Sequence, residues 1–224
     1  MSGRLTIHPD ADAVARGAAA AIEEAILSSP AAGPFHFALA GGTTPRRVYE
    51  LLATRPLPWA RLHFWFGDER CVAADHADSN YAMARASLFE RAKAPAANVH
   101  RMAGEQEDRD GAARAYERDL PQRFDLLLLG LGPDGHTASL FPGSSALRER
   151  ERRVVAVVGP KPPPNRLTIT PPVIAASARV VVLATGAEKK AALYAALTTL
   201  ADPFDCPARL VCNAEWHVDR AAAG

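Results

Sequence analysis

At 224 residues the chain is long for one small domain and short for two, so a single α/β domain over residues 1–224 with a substantial core is expected. A composition with 48% hydrophobic and 23% charged residues excludes a disordered chain, and a net charge of +1 leaves no electrostatic case for nucleic acid or a membrane surface. Cys71, Cys206 and Cys212 are odd in number and lack metal or redox spacing, which fits a reducing compartment. The opening M-S-G-R-L-T-I-H-P-D has too few apolar residues for a signal peptide, and no later run is long enough to span a bilayer, so a cytoplasmic location is expected.

In chain order, Arg4 to His8 reads as a strand, and Asp10 caps a helix to about Leu27 with Val14, Ala18, Ile22 and Ile26 on one stripe. A turn over residues 30–34 precedes a second strand, Phe35 to Ala40, which ends in Gly41-Gly42-Thr43-Thr44-Pro45. Thr44 suits an N-cap and Pro45 the first turn of a helix that continues through Val48, Leu51 and Leu52. Free N–H groups and the helix dipole at such a turn favour an anion, although a merely capped helix gives the same pattern.

Leu62 to Phe66 is a buried strand closed by Gly67-Asp68-Glu69-Arg70, a trio that must be paired internally or face a ligand. In the polar loop that follows, Asp78 or Ser79 caps a helix through Ala84, Leu88 and Arg91. Asp75, His76 and Asp78 lack partners at zinc or calcium spacing, so no metal site is expected. Asn98 to Met102 reads as a short strand and Asp108 to Leu120 as a surface helix.

Asp125 to Leu129 suits a strand buried on both faces. Gly130 breaks it, and the loop with Gly132 and Gly135 delivers one titratable group, His136, before a short helical segment. Gly130-Leu-Gly132-Pro-Asp-Gly135 matches the dinucleotide fingerprint, yet Pro142 and Gly143 cut off the long helix that this ligand requires, and Glu149 and Glu151 lie in a solvated charge run. Arg153 to Val158 and Arg166 to Thr170 read as strands around a rigid loop rich in proline, and Pro171-Pro172 starts a short helix. Arg179 to Ala184 is a β-branched strand leading through Thr185 to Lys190 into a helix with Leu193, Leu197 and Leu200. Lys189 opposes that helix's dipole, which suits service to an anion or plain solvation. Ala208 to Asn213 and Trp216 to Val218 close the chain as strands.

This alternation predicts a Rossmann-like α/β fold, doubly wound, with a mainly parallel sheet and helices on both faces. The segments Gly41 to Pro45, Gly67 to Arg70, Gly130 to His136 and Thr185 to Lys189 all follow strands and therefore gather at one sheet edge.

The runs A-G-G-T-T-P-R-R-V-Y-E-L-L, F-G-D-E-R-C-V with D-S-N-Y-A-M-A, F-D-L-L-L-L-G-L-G-P-D-G-H-T-A-S-L-F-P-G, and P-P-P-N-R-L-T-I-T with A-T-G-A-E-K-K-A-A-L together resemble the 6-phosphogluconolactonase family. Thr43 stands where the family more often has serine, and the hydroxyl is kept. The resemblance implies hydrolysis of a sugar-phosphate lactone in the oxidative pentose phosphate pathway, without cofactor or metal, by a monomer or weak homodimer. It places His136 as the general base, a role suited to a reference pKa of about 6.5. Arg70 and loop N–H groups become candidate donors to the developing oxyanion, and Asp68 would hold Arg70 or the imidazole. Gly41, Gly42, Thr43, Thr44, Gly132, Asp134, Gly135, Arg166 and Lys189 become the substrate and phosphate-binding set.

Two rivals stay open at this point. The related glucosamine-6-phosphate deaminases typically carry D-E-Y where this chain has Asp68-Glu69-Arg70, and a sugar-phosphate sensor would keep the pocket without chemistry. No G-x-S-x-G elbow surrounds any serine, so Ser139 is expected to cap or pack.

Overall fold

The computed structural model describes residues 4–198 and 200–224. In chain order it contains β1 (Arg4–His8), α1 (Ala11–Ser28), β2 (Phe35–Leu39), α2 (Thr43–Leu52), β3 (Leu62–Phe66), β4 (Asp68–Arg70), α3 (Asn80–Ala84), α4 (Glu90–Ala92), α5 (Arg109–Asp119), β5 (Leu126–Gly130), β6 (Val154–Val158), β7 (Asn165–Ile169), α6 (Pro171–Ala176), β8 (Val180–Ala184), α7 (Lys190–Thr198), β9 (Glu215–Asp219) and α8 (Arg220–Ala223). Local signals explain the first elements. Asp10 accepts the Ala13 N–H at 2.7 Å, and Val14, Ala18, Ile22 and Ile26 form the buried stripe of α1.

Six strands form one wholly parallel sheet in the order β1-β9-β8-β5-β2-β3. Leu126 to Leu129 are all buried, as a central parallel strand covered on both faces requires. The chain runs outward from β2 to β3 and then restarts at β5 on the other side of β2, so strand order reverses between β2 and β5. They pair through Phe37 with Leu126 and Ala38 with Leu127. Loops leaving the carboxyl ends of two strands at such a reversal diverge and leave a crevice.

The expected strands at 153–158 and 166–170 do not join the main sheet. β6 and β7 form with β4 a second, antiparallel sheet in the order β4-β7-β6. Only six residues, 159–164, separate β6 from β7, and a parallel pair needs a crossover of about a dozen or more. Gly67 joins the two sheets, donating to the Leu39 carbonyl and accepting from the Ile169 N–H, each at 2.9 Å.

Other local expectations change for identifiable reasons. Asn98 to Met102 makes a single bridge, Val99 to Phe64, and no strand. The 208–213 stretch is a 3-10 turn, Pro207–Val211, in which the Ala208 N–H goes to the Gly135 carbonyl. The helix through Leu193 is described as far as Thr198, and Leu200 lies outside it and is exposed. No helix follows His136: Thr137 bridges Leu140 in a tight turn with Ala138 at φ +48°. Ser79, not Asp78, caps α3, accepting from the Ala82 N–H at 3.1 Å. Among the described residues no helix is long and apolar enough to cross a membrane.

At the amino ends of β2 and β3, far from the crevice, three imidazoles cluster. His63 Nδ1 lies 3.1 Å from His100 Nε2, Trp65 donates its indole N–H to His36 Nδ1 at 3.1 Å, and the His100 ring stacks on Trp65 with centroids 3.9 Å apart. Burial lowers the pKa of His36, as does His63, with Asp125 opposing; burial and then the neighbouring histidines lower that of His100. Both groups are therefore more easily protonated in the unfolded chain, so their contribution is complete above the unfolded value of about 6.5 and is lost as pH falls below it. Glu215, held down to about 2 by His217, acts in the same direction only below the ordinary glutamate range. The urea midpoint is expected to drop between about pH 7 and pH 5, and His100→Gln should flatten that drop.

Candidate active site

The three segments after β2, β5 and β8, together with the one after β3, meet over the reversal point. Gly41, Gly42, Asp68, Arg70, Gly132, His136, Arg166 and Lys189 line one hollow of about 270 Å³. A second hollow of about 220 Å³ is lined by Thr43, Thr44, Thr185 and Glu188, and shares Gly41, Gly42, Gly130, Leu131 and Lys189 with the first. The five shared residues join the two hollows into one elongated space of small-molecule size.

His136 stands at the wall of the first hollow with its side chain 26% exposed, and its Nδ1 lies 2.5 Å from Asp134 Oδ1. A carboxylate there assigns the proton to Nδ1 and leaves Nε2 with its lone pair. Burial raises the Asp134 carboxyl, but the charge and hydrogen bonds of His136 outweigh it, and the group ends below its ordinary value. Glycine at 132 is a steric requirement, since a Cβ there would lie 2.0 Å from His136 Nδ1 and 2.6 Å from Asp134 Oδ1. The loop is held at both ends: Thr137 Oγ1 donates to the Gly130 carbonyl at 2.9 Å, and the Gly143 N–H donates to the Phe204 carbonyl at 2.8 Å.

The acids and the guanidinium of residues 68–70 do not pair with one another. Asp68 accepts from Ser139 Oγ at 2.5 Å and from Asn80 Nδ2 at 3.2 Å. Glu69, 3% exposed, accepts the N–H groups of Arg70, Asn80 and Tyr81 at 2.7–2.8 Å and the Ser79 hydroxyl at 3.0 Å. It therefore saturates the start of α3, and burial pushes its carboxyl up against those bonds. Arg70 spends Nη1 on the Asp78 carbonyl at 2.6 Å, and its buried Nε has no partner.

Across the second sheet Arg166 is the register partner of Arg70, and its Nε donates to the Pro163 carbonyl at 3.1 Å. Burial lowers its pKa; Asp68 opposes this and Arg70 adds to it. Among the described residues neither guanidinium forms an ion pair, and Lys189 meets only Glu188, at 3.9 Å. Two guanidiniums without an ion pair and a lysine with only the long Glu188 contact, gathered beside one crevice, make it a receptor for an anion. Gly42, at φ +110°, is the actual N-cap of α2, which leaves Thr44 inside the first turn, with Oγ1 2.8 Å from Thr185 Oγ1. The positive φ is what a threonine at that corner would resist, so glycine took the cap position.

The family model for glucosamine-6-phosphate isomerases/6-phosphogluconolactonase matches residues 9–219. The chain belongs to this family. The 6-phosphogluconolactonase of Synechocystis sp. is 44% identical over 184 residues, covering 78% of this chain and 76% of that protein. That of Mycobacterium tuberculosis is 37% identical, covering 100% and 98%. The solved structure of the 6-phosphogluconolactonase from Trypanosoma brucei superposes with a TM-score of 0.89 at 32% identity, covering 99% of this chain and 97% of that one.

Within this family member the site expected from the sequence is largely assembled in one place, with three differences. Asp134 and Gly135 do not line the hollows. Asp134 faces the imidazole, and Gly135, at φ +84°, uses its carbonyl to hold Ala208. Asp68 touches neither Arg70 nor His136 through a hydrogen bond and is held by Asn80 and Ser139 instead. Ser139 does pack, as a fully buried donor in a turn and not in a helix. Asn80 and Phe141, whose ring lies 4.8 Å from that of His136, were not singled out by the sequence, and Thr185 entered only as the start of the segment to Lys189. Their signals are ordinary helix-start, turn and core residues, so only spatial neighbours reveal them.

Glu69→Ala strands three N–H groups and a hydroxyl in a buried setting, and is expected to lower the unfolding free energy by about 3 kcal/mol in urea titrations. Equal stability of the variant would contradict the capping role.

Proposed function

We propose that this chain hydrolyses 6-phospho-D-glucono-1,5-lactone to 6-phospho-D-gluconate, as a cytoplasmic enzyme of the oxidative pentose phosphate pathway. The observation that carries the reading is an imidazole oriented by Asp134, with Nε2 free, at the wall of a crevice lined by Arg70, Arg166 and Lys189. His136 Nε2 takes a proton from water while the water oxygen bonds to the lactone carbonyl carbon. Arg70 stabilises the negative charge on the carbonyl oxygen, because the Gly132 and Gly135 N–H groups are spent within the loop on the His136 and Gly132 carbonyls. When the tetrahedral state collapses, the bond from that carbon to the ring oxygen breaks, and the imidazolium returns its proton to the departing oxygen. The phosphate is assigned to the junction of the two hollows, where Gly41, Gly42 and Lys189 are common to both, with Thr43, Thr44 and Arg166 alongside. All of these groups come from this chain, which supports a single catalytic domain.

The deaminase reading has less support, because Arg70 replaces the tyrosine typical of that branch and adds a cation where an oxyanion forms. Lactone hydrolysis, corrected for the spontaneous rate, tests the proposal. His136→Ala is expected to reduce kcat on the order of 1000-fold without a change in thermal midpoint. Arg166→Ala and Lys189→Ala should raise KM more than they lower kcat. Release of ammonia from glucosamine 6-phosphate, without lactone turnover, would overturn the assignment.

A further inference from the structure

We propose that Asn80 is a positioning residue that sets the spacing between the reacting end and the phosphate end of the crevice, a role that rests on the lactonase reading above. Asn80 is 2% exposed, and its backbone is pinned by the 2.7 Å bond from its N–H to Glu69 Oε1. Its side chain then acts in two directions. Nδ2 donates to the Asp68 carbonyl at 2.9 Å and to Asp68 Oδ1 at 3.2 Å. Oδ1 presses against Gly41, where a Cβ would lie only 1.9 Å from it. Gly41 lines both hollows, so one amide touches the carboxylate of the first and the turn shared with the second.

Asp68 depends on this contact because no cation hydrogen-bonds its carboxylate, and Arg166 acts on it through charge alone. Asp68 is 7% exposed, and among the described residues its carboxylate forms no ion pair, only the neutral donors Asn80 and Ser139. Ser139 holds the same carboxylate from the His136 loop, with its own N–H on Thr168 Oγ1 at 3.2 Å, but does not reach the Gly41 turn. The two donors are therefore separable: Ser139 serves Asp68 alone, whereas Asn80 serves Asp68 and the turn together. Aspartate at position 80 would keep the shape, lose both donated bonds and set two carboxylates face to face, a pair that shares a proton and titrates at raised pH.

The test compares Asn80→Ala, Asn80→Asp and Ser139→Ala by thermal melting, lactone kinetics between pH 5.5 and pH 8, and calorimetric binding of inorganic phosphate. Both alanine variants are expected to lose kcat on the order of 100-fold. Asn80→Ala alone should also weaken phosphate binding, roughly tenfold, with Ser139→Ala within about twofold of wild type. The ratio of Asn80→Asp to wild-type turnover should rise as pH falls, as the carboxylate pair gains its shared proton. Equal phosphate affinity in the two alanine variants, or an Asn80→Asp ratio flat with pH, would overturn the proposal. If the wild type fails to turn over the lactone, the functional reading falls, and the two phosphate affinities still decide the role of Asn80. Should Asn80→Ala not fold, the isosteric Asn80→Asp supplies the decision through its phosphate affinity, expected to fall at pH 8 and to recover toward pH 5.5.

Discussion

The parallel pairing of β2 with β5 is the constraint from which the site follows. Because the strand order reverses across that pair, the Gly41 turn and the Gly130 loop leave the sheet in diverging directions and cannot close over each other. β8 pairs with β5 on one side and β3 with β2 on the other, so Thr185 to Lys189 and Gly67 to Arg70 arrive at the same crevice. Two buried tyrosines secure the strand ends at which these segments begin. The Tyr49 hydroxyl bonds both the N–H and the carbonyl of Ala40, and the Tyr116 hydroxyl does the same for Phe66. Each clamp replaces ladder bonds that a strand loses where it leaves the sheet, which keeps the following loop in register.

Electrostatics divides the charged groups around the crevice into two kinds. The carboxylates of Asp68 and Glu69 are satisfied by neutral donors within the protein, and Glu69 needs four of them. The guanidiniums of Arg70 and Arg166 lie beside one another across β4 and β7, and among the described residues neither forms an ion pair, although the charge of Asp68 acts on Arg166. Pairing Asp68 with Arg70 would have reduced the positive field at the crevice. Keeping them apart leaves the cations for a ligand, a division expected of a binding site and not of a structural ion-pair network.

The second sheet gives that division its geometry. Arg166 lies beside Arg70 because β7 returns antiparallel from β6 and pairs with the segment directly after Gly67. The positions are about a hundred residues apart in the chain, and no local pattern links them. Asn80 and Ser139 show the same thing: a helix-start amide and a turn hydroxyl converge on one carboxylate from opposite sides.

The sequence by itself determined the order and type of most elements, the glycine turns after the strands, and the presence of a histidine loop beyond a buried strand. Those features depend on local periodicity, on caps such as Asp10 and on backbone freedom at residues such as Gly132, all of which act within a few positions. Tertiary structure decided which sheet received β6 and β7, that Asp134 serves the imidazole while Asp68 serves Asn80 and Ser139, and that Glu69 is a cap. These outcomes come from hydrogen bonds and charges between distant segments. The energy of such contacts depends on burial and on which donor arrives, and neither quantity exists until the chain has packed.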